Sequence, residues 1–189
     1  MQDTDEELIR DKQRAAHKDF FDRAMKAVDD GYYMEAILLE YAAIESRLEV
    51  LLGLFGMPCN KDLETEKRIK INIGSRRKCL WYIYKTCDES VENTKLPDRF
   101  FHDKGPLKKW LFSRNTYVHG LYKNADVYIK RKEEAEELAR DGLKYSRLLY
   151  NETKRLKRFL KSNPDWENKN RYCCKCSCPA RADEDRPVN

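Results

Sequence analysis

The stretch YYMEAILLEYAAIESRLEVLLGLF, residues 32–55, decides the fold. Ile37, Leu38, Tyr41, Ile44, Leu48, Leu51, Leu52 and Phe55 recur in it at steps of three and four. At 3.6 residues per turn, that spacing lines them along one face of an α-helix. Gly56 and Pro58 in the following GMPCN break the pattern.

Working outward, four more helical segments are predicted. Residues 4–30 carry a looser stripe of Leu8, Ala15, Phe20/Phe21, Ala24 and Val28, with Thr4 as an N-cap and Gly31 as the stop. Residues 64–87 hold Ile69, Ile73, Leu80, Ile83/Tyr84 and Cys87, interrupted by Arg76, Arg77 and Lys78. Residues 88–105, with Pro97 and Gly105, read as a long loop of the kind that is often functional or hides a short helix. Pro106 then sits where a helix can start, and the fourth helix is predicted to end at Val118 or His119. The fifth covers about 126–161, with Ala135, Leu138, Gly142, Tyr145, Leu149, Leu156 and Phe159 as its stripe and Asn163-Pro164 as its stop. No strand-like alternation of useful length and no internal repeat appears. The expected fold is all-α, an antiparallel bundle of four to five helices over residues 1–163, followed by a flexible, Cys-rich polar tail over 164–189.

Composition supports a helical protein with solvated faces. Charged residues make up 38% of the 189, against roughly 25% in an average chain, while Gly (7) and Pro (6) are scarce. The formal net charge of +5 is unevenly placed. Residues 1–30 carry nine acids and six bases; residues 61–86, and again 152–175, carry eight bases and three acids. Such patches permit an acidic partner such as a nucleic acid without requiring one. The opening MQDTDEELIR is polar and acidic, and no run approaches the ~18 apolar residues of a membrane span. A reducing cytoplasm is the expected location, with no transmembrane segment.

The fourth helix poses the functional question. Leu107, Trp110, Leu111, Tyr117 and Val118 form its apolar series, and Arg114 stands where the next apolar member belongs. Burying an unpaired guanidinium costs several kcal/mol, so the position needs a reason. Asn115 and His119 lie four apart on a neighbouring face. Arg114 and His119 lie five apart, so only the long arginine or a distortion near Gly120 would join their tips. Two readings are open. In one, Arg114 snorkels from the core edge, while His119 and Gly120 cap the helix C-terminus. In the other, the three residues form a site.

The segment RNTYVHG resembles the signature of the HEPN superfamily (higher eukaryotes and prokaryotes nucleotide-binding domains): Arg, a polar residue, then His after four to six intervening residues. The helix GYYMEAILLEYAAIESRLEVLLG also resembles the Gly-Tyr-x-x-Ala helix common in these domains. The likeness spans roughly residues 10–160 by motif and helix order. It implies an all-α bundle and a metal-independent endoribonuclease that works as a homodimer, of the toxin or antiviral-defence kind, with no cofactor. His119 would then be the acid–base residue, having the one common side chain that titrates near neutrality. Arg114 would clamp the phosphate with paired hydrogen bonds, and Asn115 would orient His119 or the phosphate. Products would carry 2′,3′-cyclic phosphate and 5′-OH ends. An antitoxin or regulatory protein would be a further partner. Some family toxins carry a modified Tyr two residues after the His. Tyr122 stands three after His119, so that regulation is not carried over. The alternative from another class is a non-catalytic helical interaction module, a partner or immunity subunit that uses the fold to dimerise.

His17 and His102 read as surface residues. Glu40 and Glu45 are candidates to neutralise Arg114, although acids on a polar helix face are the commoner case. Arg76, Arg77 and Lys78 line an RNA path or a solvated face. In the tail, Cys173, Cys174, Cys176 and Cys178 place four thiols within six residues. They are a candidate set for Zn²⁺ or Cu(I), although structural zinc usually draws on two separated Cys-x2-Cys arms. Acylation of these cysteines beside KRLKRFLK would tether the chain to a membrane. An unpaired tail is the commoner case.

Overall fold

The computed structural model describes residues 15, 18–55, 72–86, 94–123 and 131–164, the side chains of 86 and 121–123 excepted. The chain is an all-α helical bundle. Among the described residues it has five helices: α1 (residues 18–29), α2 (Tyr33–Leu54), α3 (Ile73–Thr86), α4 (Pro106–Lys123) and α5 (Lys132–Ser162). No helix among them is long and apolar enough to cross a membrane. Two compact units are distinguished, one within Met1–Ile44 and Trp110–Ser146, the other within Glu45–Lys109 and Arg147–Asn189.

Local chemistry sets the helix ends. Gly31 adopts φ 79°, and the amides of Gly31 and Tyr32 donate back to the carbonyls of Val28 (3.1 Å) and Ala27 (2.7 Å). That pair of bonds is the Schellman closure, which needs a left-handed residue and so favours glycine. Asn72 caps α3: its Oδ1 accepts the Ser75 amide at 2.8 Å. Asn72→Ala is therefore expected to cost about 1 kcal/mol, read as a lower urea midpoint at unchanged m-value. Pro106 opens α4, where its missing N–H costs nothing.

In the first unit, α1 contributes Ala24, Ala27 and Val28 to the core, and α2 contributes Ala36, Ile37 and Ile44. Trp110, Leu111 and Tyr117 of α4 and Ala135, Leu138 and Ala139 of α5 complete it. The Trp110 indole donates to the Leu138 carbonyl at 2.8 Å, and the Tyr33 hydroxyl donates to Glu136 at 2.9 Å. The core of the second unit holds Leu48, Leu51, Leu52, Phe55, Leu80, Ile83, Phe100, Phe101, Leu149 and Leu156. Each such side chain, fully buried, contributes roughly 1.5–3 kcal/mol. The part of the predicted loop that is described, residues 94–105, is a tight corner that buries both phenylalanine rings.

Candidate functional site

α4 runs through His119 and Gly120 to Lys123. Gly120 is therefore helical, and Gly31 is the one glycine with positive φ among the described residues. This corrects the C-cap reading: the helix does not stop at His119, and Gly120 is not needed as a left-handed terminator.

Arg114 is half-buried. Its guanidinium lies 4.1 Å over the ring centroid of Tyr41 from α2, and one terminal nitrogen donates to Asn115 Oδ1 at 3.0 Å. Its Nε is buried without a hydrogen-bond partner among the described residues. No carboxylate there lies within ion-pair distance of it. An aromatic face attracts a cation without neutralising it, and part of the Arg114 donor fork stays unused. Asn115 and His119 are both exposed, one helical turn apart. Phe112, three residues before Asn115, shares that face and is 67% exposed. The motif thus joins Arg114 to Asn115, and no hydrogen bond joins Arg114 to His119.

Two residues here had escaped the sequence reading as parts of a site. Tyr41 read as core, because ring stacking across helices leaves no mark in spacing. Arg131 lies beside Gly120, its Nη1 3.7 Å from where a Cβ on that glycine would stand. It pairs with Glu134, so it is not a second unpaired cation.

The expected supporting acids sit elsewhere. Glu45 pairs with Arg76 at 3.4 Å, and Glu49 is 3.6 Å from the same guanidinium. Glu40 is not on a polar face. It is 1% exposed, and its carboxyl lies where a Cβ on Gly142 would stand, a point 3.0 Å from the Trp110 ring. Burial pushes that carboxyl up to about 9.

The proposed RNA path over Arg76 and Arg77 is also corrected. Both are buried, Arg77 to 1% exposure. Arg77 donates to the Phe101 carbonyl and pairs with Asp103, whose carboxyl it holds below the usual range. These two arginines anchor the 94–105 corner and α2, leaving their charge unavailable to phosphate. Lys78 is half-exposed beside them. His102 is structural as well: its Nδ1 accepts the Lys104 amide at 3.0 Å and its ring meets Trp81 edge-on. His17, the Tyr122 side chain and Cys173, Cys174, Cys176 and Cys178 lie outside the described residues.

No family model, curated protein or solved structure matches the chain.

Proposed function

We propose that the chain is a metal-independent endoribonuclease of HEPN type that acts as a homodimer, in a toxin or antiviral-defence role. One observation carries the reading: a guanidinium seated on Tyr41 without a carboxylate partner, bonded to Asn115, on the helix that exposes His119 one turn further on. A cation held this way suits a phosphodiester.

In the proposed reaction the ribose 2′-OH attacks the adjacent phosphorus and the 5′-oxygen leaves. The 2′ proton goes to a base, and the leaving oxygen takes one from an acid. His119 fills one of these roles in each copy. Arg114 holds the non-bridging oxygens as their charge grows, and Asn115 orients the guanidinium that bonds it. Because Arg114 and His119 do not meet within one chain, a second copy supplying its own pair fits the two-proton chemistry. An antitoxin or other regulatory protein is a fitting further partner for such an activity.

Exposed Phe112 favours a second reading, a docking face in a non-catalytic interaction module. Cleavage separates the two. Wild type incubated with structured and unstructured RNAs in EDTA is expected to yield 2′,3′-cyclic phosphate ends. His119→Ala and Arg114→Ala are each expected to lower the rate by about 10²-fold or more, with helical circular dichroism unchanged. Variants that cleave at the wild-type rate would remove the assignment. No cleavage by any of the proteins would favour the docking module.

A further inference from the structure

The C-terminal half of α5 carries a second charged feature, away from the Arg-Asn-His motif in sequence. From Arg147 to Ser162 there are six bases and one acid, Glu152. Glu152 is buried and held by Arg155 and by the Tyr84 hydroxyl at 2.7 Å. The other charged residues of this stretch are all basic. Arg147, Lys154, Arg158 and Lys161 are all exposed. At 100° per residue they fall within about 60° of one another, along roughly 21 Å of helix. The opposite side holds Leu149 and Leu156, both fully buried.

Arg47 of α2 belongs to the same unit and adds a different kind of cation. Its guanidinium lies 4.9 Å over the Tyr150 ring, and Lys154 Nζ lies 4.6 Å over that same ring. Arg47 has no carboxylate partner among the described residues, and burial lowers its pKa. Two cations gathered on one ring repel each other, and one of them is partly desolvated. An anion between or beside them would relieve both costs.

We propose that Arg47, Arg147, Tyr150, Lys154, Arg158 and Lys161 form a binding surface for the phosphate backbone of single-stranded RNA. The inference deepens the ribonuclease reading by assigning a substrate-holding surface, and rests on RNA as the ligand. Charge complementarity selects this occupant. A helix that lies on a bilayer needs an apolar face to insert beside its basic one, whereas here the apolar side of α5 is spent on the core. The surface is sequence-blind, because it offers charge to phosphates and no donor set aimed at base edges.

The test is fluorescence anisotropy of a labelled 20-nucleotide RNA, titrated with full-length His119→Ala at several KCl concentrations. The expected plot of log affinity against log salt has a slope near −3, from about four phosphates at about −0.7 each. The triple variant Lys154→Gln/Arg158→Gln/Lys161→Gln, on the same background, is expected to bind at least tenfold more weakly, with a slope shallower by about 2. All three positions are exposed, so helical content is expected to be unchanged. Lys154→Gln alone gives a smaller shift in the same direction. An unchanged slope in the triple variant, or no binding at 50 mM KCl, overturns the surface. So does a triple variant that loses binding only to phosphatidylserine vesicles, which would make the face a membrane contact. Cleavage is scored separately. If His119→Ala cleaves like wild type while the salt slopes behave as expected, the motif assignment fails and the RNA surface stands.

Discussion

Gly105→Ala is expected to destabilise the protein by about 3 kcal/mol or more, near the top of the range for single overpacking substitutions. For a chain of this size that lowers Tm by roughly 10 °C. An ideal Cβ on Gly105 would overlap the Arg99 carbonyl oxygen and stand 2.9 Å from the Phe100 carbonyl and 3.0 Å from that of His102. All three neighbours are backbone, which cannot swing aside as a side-chain tip can. The Arg99 carbonyl already accepts the His102 amide at 2.8 Å, and Arg99 itself sits at φ 57°. Moving this corner would also disturb the buried Phe100 and Phe101 rings and the bond from Arg77 to the Phe101 carbonyl. Gly53→Ala supplies the opposite sign. Gly53 is exposed within α2, and nothing lies within 4 Å of its would-be Cβ. Alanine there is expected to stabilise by about 0.5–1 kcal/mol through helix propensity. Paired thermal melts read both, and a Gly105→Ala Tm within 2 °C of wild type would show that the corner yields at little cost.

The residues that were legible in the sequence share one property: their role depends on near neighbours. The spacing of Ile37, Ile44, Leu48, Leu51 and Leu52 puts them on one face, and all are fully buried. Gly31 reads as a helix stop and takes the left-handed turn. What was hidden depends on partners far along the chain. Spacing puts Leu38 in the α2 stripe, yet it is 46% exposed, whereas Glu40 occupies core instead. Residue type alone assigns those two the other way round. Room for Glu40 comes from the missing side chain of Gly142, about a hundred residues on, which spacing within α2 cannot register. Arg76 and Arg77 interrupt an apolar stripe, and interruption reads as surface. Their acceptors are Glu45 and the Phe101 carbonyl, visible only once the chain is folded. In the site, Arg114 is legible as the cation in an apolar series, whereas its bond to Asn115 depends on a rotamer that spacing does not set. The Tyr41 seat is not legible, because it belongs to another helix.

Glu40 should make the protein lose stability steadily as pH rises. Both of its carboxyl oxygens are buried without a hydrogen-bond partner among the described residues. An ionised carboxylate there would forgo hydration and gain nothing in return. The acid therefore stays protonated in the folded chain up to about 9, against 4.5 for the ordinary group. Between those values the folded protein keeps a proton that the unfolded chain has released, so raising pH favours unfolding. The stabilising contribution is complete below about 4.5 and is lost progressively as pH climbs to about 9. One proton of linkage is worth a little over 1 kcal/mol per pH unit, or about 3 kcal/mol between pH 6 and pH 8. Glu40→Gln keeps the shape beside Gly142 and Trp110 and removes the titration. Its urea-derived stability, compared with wild type, is expected to gain by that amount over the same interval. Near pH 4.5 the two proteins should differ by much less, since both then carry a neutral polar group in the same place. Gly142→Ala offers an independent check, because its Cβ would overlap the Glu40 carboxyl and come within 3.0 Å of the Trp110 ring. That variant should lose stability at every pH, and Glu40→Gln should not rescue it, since the amide occupies the same space. Parallel pH dependences for wild type and Glu40→Gln would mean that Glu40 ionises in the folded state near its ordinary value, with water or a residue outside the described segments reaching its carboxylate.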